Sequence, residues 1–118
     1  MAENTVEKIN PIKLTDNESG TVYTLEFNRD TVRFAENRGF DINDVARFPM
    51  TKLPELFFYA FRMHHKNVSR EKTDRILFDD LGGMPDGMAE RLGLLYSAPF
   101  EALSGGEKGK NGKMTVEF

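Results

Sequence analysis

The sequence contains no cysteine and no tryptophan. Without thiols there is no disulfide, no thiolate metal site and no catalytic Cys, and that absence fits a reducing compartment. Long apolar runs are missing as well. The longest, Leu56-Phe57-Phe58-Tyr59-Ala60-Phe61, is far short of the roughly 20 residues that a membrane-spanning helix needs. The opening residues Met1–Lys8 carry no apolar stretch, so no secretory signal is expected. Positive charge is not in excess either: 16 Lys and Arg against 19 Asp and Glu leave a formal net charge of −3. That balance weighs against a nucleic-acid binder working by phosphate neutralisation, while leaving a local basic patch open. The expectation is a soluble chain with no membrane or nucleic-acid partner.

What is present suits one ordinary globular domain. The chain has 118 residues, 39% of them hydrophobic and 30% charged, a mixture that folds rather than staying disordered. A domain of this size buries about two thirds of its unfolded surface and needs no staples. The expected division is a loose arm over 1–9, one globular unit over 10–103 and a flexible Gly/Lys tail over 104–118.

Alternation over Ile12-Lys13-Leu14-Thr15 and again over Thr21 to Phe27, separated by Asn17-Glu18-Ser19-Gly20, predicts a β-hairpin within 10–28. Asp30 is the expected N-cap of a helix ending at Gly39, and Asp41 opens a short helix running to Phe48. The strongest helical pattern begins at Thr51 as cap, with Pro54 in the first turn and Leu53, Leu56, Phe57, Ala60, Phe61 and His64 on one face. Ser69 caps a helix over 70–81 with Thr73, Ile76, Leu77 and Leu81 inward. Gly82 to Gly87 break it, and a last helix runs over 88–103 with Leu92, Leu95, Tyr96 and Leu103 inward, kinked or restarted at Pro99. The fold class is therefore α+β and mostly α: an N-terminal β-hairpin followed by four to five helices over 30–103 in a small bundle.

The patterns that would carry chemistry fail on their mechanics. His64 and His65 are adjacent, so on a helix they point about 100 degrees apart and cannot share an ion as an i, i+4 pair would. Arg62, His65, Lys66 and Arg70 read as a solvated helix end. A phosphate loop needs G-x-x-x-x-G-K followed by Ser or Thr. Gly109-Lys110 is followed by Asn111 and preceded at the required distance by Ser104, and Gly112-Lys113 fails at Met114 and Glu107. Glu71, Asp74, Asp79, Asp80 and Asp86 are acidic but match no calcium loop. No Gly-x-Ser-x-Gly elbow exists. The chain is expected to be no enzyme, with no catalytic, cofactor or metal residues. What remains is interaction. The aromatics, ten Phe and three Tyr, either all belong to the core or leave Phe48, Phe58 and Tyr59 in an exposed partner-binding patch with Arg62 beside them.

The order of segments resembles a known family. It runs from Tyr23-Thr24-Leu25-Glu26-Phe27-Asn28-Arg29 through Thr31-Val32 with Glu36 and Gly39-Phe40-Asp41-Ile42. Pro49-Met50-Thr51-Lys52-Leu53-Pro54 then leads into Leu56 to Phe61 with His64-His65-Lys66, and Leu94 to Leu103 completes it. Together these residues are similar to the tail assembly chaperones of long-tailed, siphovirus-type phages and prophages of Gram-positive bacteria, over about three quarters of the chain. The resemblance implies a mostly helical protein of the bacterial host cytoplasm that coats the tape measure protein, recruits tail tube subunits and leaves before the virion is finished. It also implies no catalytic residues and, in many relatives, a longer form made by frameshifting. A chaperone of an aggregation-prone helical partner usually also self-associates, so a homo-oligomer is open. Purine-rich slippery codons could encode Glu107 to Lys113. A head–tail connector or tail completion protein of the virion is the alternative, and a small DNA-binding domain a weaker third.

Overall fold

Ile12 and Leu14 alternate with Lys13 and Thr15 in β1 (Ile12–Thr15), which pairs antiparallel with β2 (Val22–Leu25), Ile12 opposite Leu25 and Leu14 opposite Tyr23. The computed structural model describes residues 9–104, 114, 115, 117 and 118. The hairpin turn closes because Asp16 Oδ1 accepts from the amides of Glu18 (2.9 Å) and Ser19 (3.3 Å), and Gly20 adopts a φ of 80°. Those amides hold the Asp16 carboxyl below its ordinary range, as expected where hydrogen bonds favour the charged form.

Five α-helices follow: α1 (Arg29–Asn37), α2 (Asp44–Arg47), α3 (Pro49–Phe61), α4 (Arg70–Arg75) and α5 (Met88–Ser104), with a π-helical turn, Ile76–Asp80, continuing α4. The expected hairpin-plus-helices architecture is the observed one. Several boundaries differ for local reasons. Asn28, not Asp30, caps α1: its Oδ1 accepts from the Thr31 amide (2.9 Å), and Thr31 Oγ1 accepts from the Asn28 amide (2.8 Å). This reciprocal box satisfies both ends of one turn and leaves Asp30 free to meet Arg33 at 3.7 Å. The helix expected from Asp41 starts instead at Asp44, because Asp41 Oδ1 is spent on the Asn43 amide in a turn at 2.9 Å. Pro49 starts α3 at its first position, so Thr51 caps nothing and Pro54 lies inside the helix. That helix ends at Phe61, before His64, which had been expected on its face.

Ser69 caps α4 as expected, accepting from the Lys72 amide at 3.1 Å. The regular helix expected through Leu81 widens instead. Leu81 N donates to Ile76 O at 2.8 Å and Gly83 N to Leu77 O at 2.8 Å, the latter closed by the Gly83 φ of 115°. Ile76 and Leu77 turn inward and Phe78 outward. The last helix runs from Met88 to Ser104 with Pro99 inside it and does not restart there.

The core gathers Leu25 and Phe27 from the end of the hairpin, Val32 and Ala35 from α1, Phe40, five residues of α3, and Leu92, Leu95 and Tyr96 from α5. Aromatic edges meet faces through it: Phe27 on Tyr96 (5.1 Å), Phe40 on both Tyr59 (5.4 Å) and Tyr96 (5.6 Å), and Phe57 on Phe61 (5.1 Å). Such pairs add about 0.5–1.5 kcal/mol each beyond their buried area. Leu103, expected inward, is 71% exposed. Ile9, expected in the loose arm, packs against the core. The rest of that arm, and the Gly/Lys tail from Gly105 to Lys113, lie outside the described residues.

Candidate functional site

Of the four residues read from the sequence as partner contacts, α3 carries Phe58 and Tyr59 and is flanked by Phe48 and Arg62, and they separate. Tyr59 is 4% exposed, and its hydroxyl donates to Glu55 Oε2 at 3.3 Å, so it is a core residue and no surface contact. Burial, then the Glu55 carboxylate, pushes the Tyr59 hydroxyl up from its ordinary range. Phe58 is half-buried against the core, and Phe48 is 52% exposed beneath the Arg47 guanidinium at 5.2 Å. Arg62, at the opposite end of α3 from Phe48, lies over the Phe34 ring at 3.6 Å. The expected continuous patch is therefore absent, because one helix cannot present neighbouring positions 58 and 59 to the same side.

Two open clefts flank α1. On one side Val32 meets Pro99, Phe100 and Leu103 of α5 in a groove of about 210 Å³, rimmed by Arg29, Arg33 and Glu36. Phe100 is 40% exposed there. The last turns of α5 lie alongside α1 over Arg29 to Glu36 without closing onto it, which leaves Leu103 exposed. Helical spacing had marked Leu103 as inward. Nothing in that spacing tells how closely a neighbouring helix packs.

On the other side, a cleft of about 430 Å³ opens between α1 and the residues that follow α3. Its lining includes Asp30, Arg33, Phe34, Asn37, Arg62 and Lys66. A third hollow, about 500 Å³, lies between the hairpin turn and the π-helical turn, where Asp16, Glu18, Asp79 and Asp80 face Lys72. Among the described residues no group of three His, Cys, Asp or Glu is arranged to hold a metal ion.

The histidines serve the hairpin. His65 Nε2 accepts from the Thr24 amide at 2.9 Å, its ring stands edge-on to Tyr23 at 5.2 Å, and His64 Nε2 lies 2.9 Å from Glu26 Oε1. Burial, then the neighbouring His64, lowers the His65 pKa. Tyr96 is fully buried, and that burial, followed by the Glu36 and Asp41 carboxylates, pushes its hydroxyl up to about 12. None of the helices in the described residues is long and apolar enough to cross a membrane.

Neither curated proteins nor solved structures give a match to this chain. Residues 1–118 match the family described as "Domain of unknown function (DUF5055)", and the chain belongs to that family.

Proposed function

We propose that this protein is a phage tail assembly chaperone that binds the tape measure protein and helps the tail tube to polymerise. The observation that carries the reading is the groove between α1 and α5. Val32, Pro99, Phe100 and Leu103 line it, and Leu103 is exposed in the absence of a partner. An apolar channel between two helices takes a third amphipathic helix, whose side chains at i, i+3 and i+4 enter the channel. A long helical tape measure protein offers many such segments and aggregates when they are left bare. The surrounding Arg29, Arg33 and Glu36 keep the rim hydrated, which suits an interface that must later dissociate. The segment order described above supports the same partner, with tail tube subunits as the second. Its place of action is the host cytoplasm, before the particle is complete.

Co-expression with the tape measure protein of the same phage or prophage tests the reading, together with mass spectrometry of purified particles. A soluble complex and absence from particles are expected. Retention in particles with no soluble complex would instead make the protein a head–tail connector or tail completion component.

A further inference from the structure

Arg62 follows the last residue of α3 with its guanidinium over the Phe34 ring at 3.6 Å, and the Arg38 guanidinium lies 5.0 Å from the same ring. Stacking on an aromatic face fixes the plane of a guanidinium and leaves its N–H edge free to donate. Among the described residues neither Arg62 nor Lys66 is within ion-pair distance of a carboxylate, whereas Arg47, Lys52 and Arg70 each have one within 4 Å. The cleft that Arg62 faces is also lined by Arg33, Lys66 and the Asn37 amide. Its one acid, Asp30, already lies 3.7 Å from Arg33. In a chain of net charge −3, this is a local concentration of cations held by an aromatic platform.

We propose that the cleft between α1 and the end of α3 binds an acidic segment of a partner protein, with one carboxylate on Arg62 and a second on Lys66. A bidentate bond to a carboxylate is what an oriented, unpartnered guanidinium makes best. Lys66, four residues on, is a mobile point charge that can meet the next acid. Protein carboxylates fit better than nucleic acid for two reasons. Phosphate backbones are held by many contacts, and a guanidinium with a single lysine beside it matches the span of two carboxylates rather than a continuous phosphate chain. The site does not depend on the tail-assembly reading, since it adjoins the apolar groove only at Arg33 and asks for a different chemistry.

The test titrates the full chain, labelled with ¹⁵N, at low salt with a peptide of alternating Glu and Ala. Controls are the Gln analogue of that peptide and an oligothymidylate. Shifts are expected at residues 33–37 and 62–66 and at the Arg62 Nε–H, with none from the Gln analogue. Arg62→Gln should weaken binding about tenfold or more, and Lys66→Gln should weaken it by less and leave the spectrum of the free protein in place. Raising the salt should weaken binding further. Equal binding of the Gln peptide, shifts elsewhere, or affinity unchanged in both variants would overturn the proposal. So would tighter binding of oligothymidylate at the same residues.

Discussion

The amide of Thr24 donates to a side chain and not to the neighbouring strand, and the acceptor is an imidazole nitrogen, His65 Nε2. That bond exists only while His65 is neutral, because a protonated imidazole has donors on both nitrogens. The lowered pKa of His65, caused by burial and then by His64, fixes the sign of the pH effect. The unfolded chain takes up the proton more readily, so the stability contributed is complete above the ordinary value of 6.5 and is lost as the pH falls below it towards the depressed folded value. The urea midpoint should therefore drop between about pH 7 and about pH 5. In His65→Gln, whose amide oxygen accepts without titrating, the drop should shrink; an unchanged drop would place its cause elsewhere. Tyr59 and Phe48 give a sharper contrast at the same scale. Tyr59→Ala removes a buried ring and should cost about 3–5 kcal/mol in urea unfolding. Phe48→Ala, on the exposed side, should stay within about 0.5 kcal/mol.

At the scale of elements, the capping box of α1 rests on a neutral amide. Asn28→Ala should cost about 1 kcal/mol by urea unfolding, while Asp30→Ala should leave the midpoint nearly unmoved. The opposite ranking would restore Asp30 as the cap. The sequence made the hairpin readable because Asp16-to-Gly20 turn chemistry and strict alternation agree over both strands. It made α3 readable because Leu56, Phe57, Ala60 and Phe61 recur at helical spacing. Its ends were ambiguous, since Pro49 and Thr51 are both good start signals and only packing chooses between them. The widening at Ile76–Asp80 leaves no trace in a pattern of apolar residues, because α and π turns bury similar spacings until a glycine ends them. The groove was hidden for another reason. Periodicity names the inward face of α5 but not how closely α1 packs on it. Phe34 under Arg62 was equally invisible, as it joins residues 28 positions apart.

On the scale of the whole molecule, one helix bundle with a hairpin docked on it presents an apolar groove and a cationic cleft along α1, meeting at Arg33. Phe100 and Leu103 contribute little to the core, so Phe100→Ser with Leu103→Ser should lower Tm by no more than about 4–8 °C, the shift for 1 kcal/mol in a domain of this size. The same pair should abolish recovery of the tape measure protein in a pull-down. Full recovery with the double variant would remove the groove from the account. The most direct measurement places a photo-crosslinking amino acid at position 103 and irradiates cells while tails are assembling. The account predicts a cross-link between this protein and a helical segment of the tape measure protein, absent when the same amino acid stands at exposed Lys13 of the hairpin. A cross-link found only to virion components that persist in the finished particle would contradict it.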